Sequence, residues 1–178
     1  EIEGADQGRP NHLGQFNPLP DVFWGAKSGL HCLDHVVESV MEEGWTHHIP
    51  RLMILGNLAT LLDVEPKQLS DWFHECFIDA FDWVVEPNVL GMASASMGTT
   101  IMTKPYVSGT PYINKMSDYC QSCALDPKKN CPISNLYWAF LERHKKAFEG
   151  NHRMSMAMRN LNRRSDEKKK QDEAVFHS

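Results

Sequence analysis

At 178 residues, 42% hydrophobic and with ten prolines, the chain is long enough for one globular domain with a real core and short for two. No apolar run approaches the ~20 residues that span a bilayer, and the opening EIEGADQGRPNHLGQ has neither a basic stretch nor an apolar one, so a soluble, cytoplasmic protein without membrane contact is expected. Five cysteines in such a chain argue against a disulfide scaffold and for metal binding or buried thiols; the net charge of -5 conceals a stretch from Arg143 to Lys170 that holds ten of the eighteen Lys and Arg.

The first twenty residues, rich in Gly, Pro and Asn and without a period, predict an irregular N-terminal segment over 1–21. From Leu30 the apolar residues Leu33, Val36, Val37 and Val40 fall at helical spacing, and Gly44 is placed to end the helix in a left-handed cap. Leu52, Leu55, Leu58, Ala59 and Leu62 repeat the pattern; Pro50 is tolerated because it falls in the first turn, which puts His47 and His48 at a helix N-terminus. A third helix is predicted from Pro66, with Leu69, Trp72, Phe73, Cys76, Phe77, Ala80 and Trp83 along one wide apolar face.

Residues 85–118, with three glycines, three prolines and Met92, Met97 and Met102, read as a long loop of functional type. Pro132 then opens a helix with Leu136, Tyr137, Phe140 and Leu141 inward, and a shorter helix is expected from Met154 to Leu161. No strand is expected, so the fold class is all-α. Residues 165–178 read as a charged tail, and the basic stretch fits either a solvated helix or a surface for a polyanion.

The run YCQSCALDPKKNC places Cys120, Cys123 and Cys131 together, with Pro132 directly after the last. Two thiolates separated by two residues can grip one metal centre, but a zinc ribbon would supply a second such pair. A Cys-x-x-Cys pair with single cysteines farther away, one followed by proline, fits an iron-sulfur cluster better than zinc. The fourth thiolate is Cys32 or Cys76. Cys76 lies on the apolar stripe and reads as a small buried hydrophobe; Cys32 lies in the first turn of a helix, where the helix dipole favours a thiolate, and is preferred. His31 and His35 flank Cys32 and are the alternative ligands for a zinc site.

The stretches FWGAKSGLHCLDHVVESVMEEGWTHHIPRLMILGN, WFHECFIDAFDWVVEPNVLGMA, TKPYVSGTPYINKMSDYCQSC and CPISNLYWAFLERH resemble the iron-sulfur bacterial cryptochromes and photolyases, also called prokaryotic (6-4) photolyases. The resemblance runs over 22–164 and implies the C-terminal half of the all-helical photolyase-type domain. It further implies FAD, and a four-iron four-sulfur (4Fe-4S) cluster on Cys32, Cys120, Cys123 and Cys131. Carried over residue by residue, it places His48, with His47 beside it, at the DNA lesion. Arg51, Asp79 and Asn88 fall against the flavin, and Trp72, Trp24 and Tyr112 on the route of electron transfer. The implied activity is light-driven repair of UV-damaged DNA at (6-4) photoproducts, or blue-light photoreception. The implied partners are that DNA and an upstream part of the same protein, an antenna domain and the first half of the flavin site. By residue type alone Trp72 and Trp83 are core, the His-His pair a helix cap, Asp79 a solvated acid and Asn88 a turn residue. The competing expectation is a non-catalytic nucleic-acid-binding module, resembling the iron-sulfur domain of the large primase subunit, that meets phosphates with its basic segment.

Overall fold

The computed structural model describes residues 11–94 and 105–178; Met97, Met102 and the first ten residues lie outside the described residues. The apolar spacing after Leu30 produces helix α1 (His31–Glu43), which buries Cys32, Leu33, Val36, Val37 and Val40. Gly44 ends it at φ 62°, its N–H donating to the Val40 carbonyl. That conformation needs glycine twice over: it is left-handed, and a Cβ there would lie 2.8 Å from Cγ2 of Ile78.

Helix α2 covers 48–61 as three continuous pieces, an α turn (His48–Pro50), a π-helical stretch (Arg51–Gly56) and an α end (Asn57–Leu61). Its inner side is almost wholly buried from Met53 to Leu61. Helix α3 (Pro66–Cys76) starts on Pro66, where the missing N–H costs nothing, and buries Leu69, Trp72 and Phe73. Phe23, Trp72, Leu58, Leu55 and Ile54 lie at the centre of the core, and Trp72 donates its indole N–H to the Phe23 carbonyl at 3.0 Å.

Two sequence expectations need correction here. The third helix does not carry its stripe to Trp83: it ends at Cys76, Phe77 is extended, and the Ile78 amide donates to the Gly44 carbonyl at 2.9 Å, so the chain leaves the helix to pair with the α1 cap. Trp83 is 77% exposed rather than core. The stretch over 85–118, read as a long loop, is mostly helical among its described residues. Helix α4 covers 82–93, an α turn (Asp82–Val85) running into a π-helical stretch (Glu86–Ala93), and helix α5 (Thr110–Met116) follows. Pro111 sits in the first turn of α5, where proline is tolerated, and Pro87 falls inside α4 where the α turn widens into the π-helical stretch.

Helix α6 (Ile133–Arg143) buries Leu136, Phe140 and Leu141, and helix α7 (Ser155–Asn162) buries Leu161. The segment read as a charged tail forms helix α8 (Asp166–Phe176), capped by Ser165 and seated on α6. Buried Asp172 accepts from both Arg164 and Asn135, and Arg143 stacks on the Phe176 ring at 3.5 Å. Residues 11–20 are irregular but anchored: Gln15 is fully buried and donates to the Thr60 carbonyl, and Asn17 donates to the Leu62 carbonyl and forms an isolated bridge with Val64. Apart from that bridge the described residues contain no β pairing, as the all-α expectation requires. No helix among them is long and apolar enough to cross a membrane.

Candidate functional site

Two π-helical stretches meet across a pocket. Widening a helix to an i→i+5 turn displaces its side chains from the regular α rows, and such turns recur at functional sites. Here Arg51 and Leu52 come from one stretch and Asn88, Val89 and Ala93 from the other, with His48, Phe73, Val84 and Val85 completing the wall. The stretches touch at Gly56, where a Cβ would stand 2.6 Å from the Ala93 Cβ. Thr60 adds a hydrogen bond from its hydroxyl to the Ala93 carbonyl. The pocket is therefore mostly apolar with a few polar groups aimed at it, the composition of a ligand site.

Arg51 is fixed on every side. Its guanidinium donates to both carboxylate oxygens of Asp79 at 2.9 Å, and Nε donates to the Thr46 carbonyl at 2.7 Å. The same group lies 4.3 Å from the Phe77 ring centroid and 5.9 Å from that of Trp45. Such a bidentate, stacked arrangement is one that lysine could not reproduce. Asn88 donates its amide to the Val84 carbonyl one turn earlier, which orients the side chain. His48 opens α2 and lines the pocket; His47 occupies the N-cap, is exposed, and packs its ring against Trp45 instead.

The predicted electron-transfer residues are not brought together. Trp72 is buried among Phe23, Phe73 and Phe77, of which Phe73 reaches the pocket. Trp24 is 52% exposed and Tyr112, on α5, is 50% exposed, and neither makes a ring contact with Trp72 among the described residues. The apolar walls Leu52, Phe73, Val84, Val85, Val89 and Ala93 were not singled out from sequence, because their signal is the same as that of any core residue.

A second cavity lies between α1, α5 and the loop before α6. Cys32, Cys120, Cys123 and Cys131 all line it, enclosed by Leu30, Ile113, Tyr119, Leu125 and Ile133. Cys76 is elsewhere, half-buried against the core. His31 and His35 stack on each other at 5.7 Å, and His35 packs on Tyr119 at 5.8 Å, so neither histidine lines the cavity. Among the described residues no three His, Cys, Asp or Glu side chains converge closely enough to hold a single metal ion. The helix dipole that favours a thiolate at Cys32 is outweighed by burial while no cationic centre is bound. Burial pushes its thiol up to about 12, the neighbouring Cys131, Cys120 and Cys123 add to this, and the hydrogen bond from the Leu33 backbone does not offset it. Burial likewise raises Cys120. Taken alone, Cys32 and Cys120 favour the thiol; a bound cationic centre would reverse that preference.

No family model matches the chain. It is 39% identical over 159 residues to a (6-4) photolyase of Agrobacterium fabrum, a match that takes in 86% of this chain and 31% of that protein. It is also 28% identical over 115 residues to the uncharacterized protein R855 of Acanthamoeba polyphaga mimivirus, covering 65% of this chain and 90% of the viral one. The chain thus spans less than a third of the photolyase it matches, and over most of its own length it belongs to the (6-4) photolyase family.

Proposed function

We propose that the chain is the flavin- and lesion-facing part of a photolyase-type protein that uses light to repair (6-4) photoproducts in UV-damaged DNA, or to sense blue light. The observation that carries this reading is the meeting of His48, Arg51 and Asn88 on one apolar pocket, with Asp79 holding Arg51. A flat ring system with polar edges fits such walls, so the residues present are compatible with FAD. When bound, reduced flavin supplies the electron that light drives into the lesion. Arg51, held rigid by Asp79, Thr46 and Phe77, presents a fixed positive charge at the pocket edge and needs no reorganisation to stabilise negative charge nearby. Asn88 orients the ring edge. Leu52, Phe73, Val85 and Val89 exclude water, and His48 holds the proton that repair moves within the lesion. The damaged base must leave its stack to reach this depth, which costs least for a distorted pair.

The same reading assigns Cys32, Cys120, Cys123 and Cys131 to a 4Fe-4S cluster. Four thiols on one cavity, a Cys-x-x-Cys pair with single cysteines farther away and one followed by proline, suit a multi-atom cluster better than a single zinc. Its first role is that of a clasp between α1 and the loop before α6. Trp72, Trp24 and Tyr112 are retained as the electron route, with Trp72 the buried member and Phe73 its neighbour at the pocket.

In the longer protein, His48→Ala is expected to abolish light-driven repair of a (6-4) duplex while flavin photoreduction survives; unchanged repair would remove His48 from the mechanism. The second reading, an iron-sulfur nucleic-acid-binding module without flavin chemistry, is favoured by one observation: a match to 65% of this chain fills 90% of the viral relative, a protein too short to hold the rest of a photolyase-length chain. Absorption spectra separate the two. Flavin bands in the longer protein support the enzyme, and a broad iron-sulfur shoulder alone supports the module.

A further inference from the structure

Between Gly150 and Ser165 the sequence has no acidic residue and four arginines, in a chain whose net charge is -5. The structure divides those arginines by role. Arg164 turns inward and is consumed by buried Asp172. Arg153, Arg159 and Arg163 are exposed, and none of their guanidinium groups has a carboxylate partner among the described residues. The contrast with nearby cations is consistent: Arg143 is paired with Asp63 and Glu173, and Lys145 and Lys169 both with Glu142. Arg159 and Arg163 lie one turn apart on the same side of α7 and its C-cap, with Met156 a further turn back and 74% exposed. The flanking acids do not neutralise the stripe, since Asp166 and Glu167 sit in the first turn of α8, where they complement its dipole.

We propose that the stripe of Arg159 and Arg163, together with exposed Arg153 in the turn before α7, contacts phosphates and binds the backbone of duplex DNA without regard to sequence or damage. From Arg159 to Arg163 the rise is about 6 Å at 1.5 Å per residue, comparable to two phosphates along one strand at about 3.4 Å each, and Arg153 stands just before the helix in its own short turn. Arginine is suited to this, because its planar fork meets phosphate oxygens bidentately and its charge cannot be lost. Exposed Asn160 and Asn162 supply further donors on the same helix. The proposal rests on the reading of the chain as part of a DNA-acting protein, but it is independent of the pocket: the stripe holds DNA, and the pocket selects damage.

The test is fluorescence anisotropy of the chain with an undamaged 20-base-pair duplex over a series of salt concentrations. Each phosphate contact contributes about 0.9 to the slope of log affinity against log salt, so Arg153→Gln/Arg159→Gln/Arg163→Gln should flatten the slope by about 2.7. Lys27→Gln/Lys67→Gln, which removes cations already paired with Glu38 and Asp71, should change it by less than about 1. All five positions are exposed on the surface, so folding is expected to survive and is checked by circular dichroism. An unchanged slope in the triple variant, or no salt-dependent binding by the parent chain, overturns the proposal. So does binding that the same arginines support on vesicles containing phosphatidylserine but not on DNA. A duplex carrying a (6-4) photoproduct should show the same flattening. If that duplex is bound no better than the undamaged one while the flattening persists, the stripe is supported and the lesion-pocket reading is the one that fails.

Discussion

A single thiol shows how burial and ligation compete. Cys32 is 6% exposed, and its thiol is pushed up to about 12 by that burial and by the three other cysteines of the cavity. A thiolate there is sustained only by something positive bound among the four. Anaerobically purified chain is therefore expected to carry about four iron and four sulfide. Cys32→Ser should lose both, and Cys76→Ser should keep both, because Cys76 packs on the core away from the cavity. Stoichiometric zinc without sulfide, or the reverse pattern of losses, would overturn the ligand set. Three of these four positions were legible from the Cys-x-x-Cys spacing and the following Cys-Pro. Cys32 was legible only as the better of two candidates, since residue type does not distinguish a ligand from a buried hydrophobe, and the dipole used to choose it is outweighed by burial while no cationic centre is bound.

At the level of elements, the pocket depends on how closely two widened helices approach. Gly56 lies on α2 with φ in the ordinary helical range, so propensity alone predicts that Gly56→Ala stabilises by about 1 kcal/mol. The contact predicts the opposite. A Cβ would stand 2.6 Å from Ala93 Cβ and 3.2 Å from the Arg51 carbonyl, an overpacking that costs roughly 1–3 kcal/mol and pushes α4 away from Arg51. The expected result is net destabilisation by about 1 kcal/mol in urea unfolding, and a stabilised variant would show that the crossing is looser than described. Neither π stretch was visible in the sequence, where α2 reads as an ordinary amphipathic helix and α4 as loop. Hydrophobic periodicity reports which face is buried, not the local hydrogen-bond register, and Pro87 at the start of a π-helical stretch carries the same letter as Pro87 in a break.

Across the whole molecule, Asp63 is the point where three distant parts are joined. It sits just beyond α2 in the left-handed region at φ 53° and accepts from Arg143 at 2.8 Å and His144 at 2.7 Å on α6 and its C-cap, while Gln15 of the N-terminal strap donates more weakly at 3.4 Å. Burial acts to raise its carboxyl, but the hydrogen bonds and charges of His144 and Arg143 prevail and hold it below the usual carboxylate range. A group whose folded value is depressed contributes stability that is present above its unfolded value near 3.9 and is lost as pH falls through the folded value. Asp63→Asn tolerates the same backbone conformation, so it isolates the charge. The variant is expected to lose about 3 kcal/mol at pH 7, measured by urea unfolding, and to close that gap to the parent as pH falls below the unfolded value and through the folded one. A loss that does not change with pH would mean that the pairing is not what stabilises the junction. What the sequence alone determined was the all-helical class, most helix starts and three of the four cysteines, because periodicity, caps and short motifs are local; the pocket's polar residues read as a cap and a turn by type and were singled out only through the family resemblance. Only the tertiary structure decided that α3 stops at Cys76, that α8 docks on α6, that Trp83 faces outward and that His48 rather than His47 lines the pocket. Each of those depends on a partner remote in the chain: the Gly44 carbonyl for Ile78, Arg164 and Asn135 for Asp172, and the α4 wall for His48.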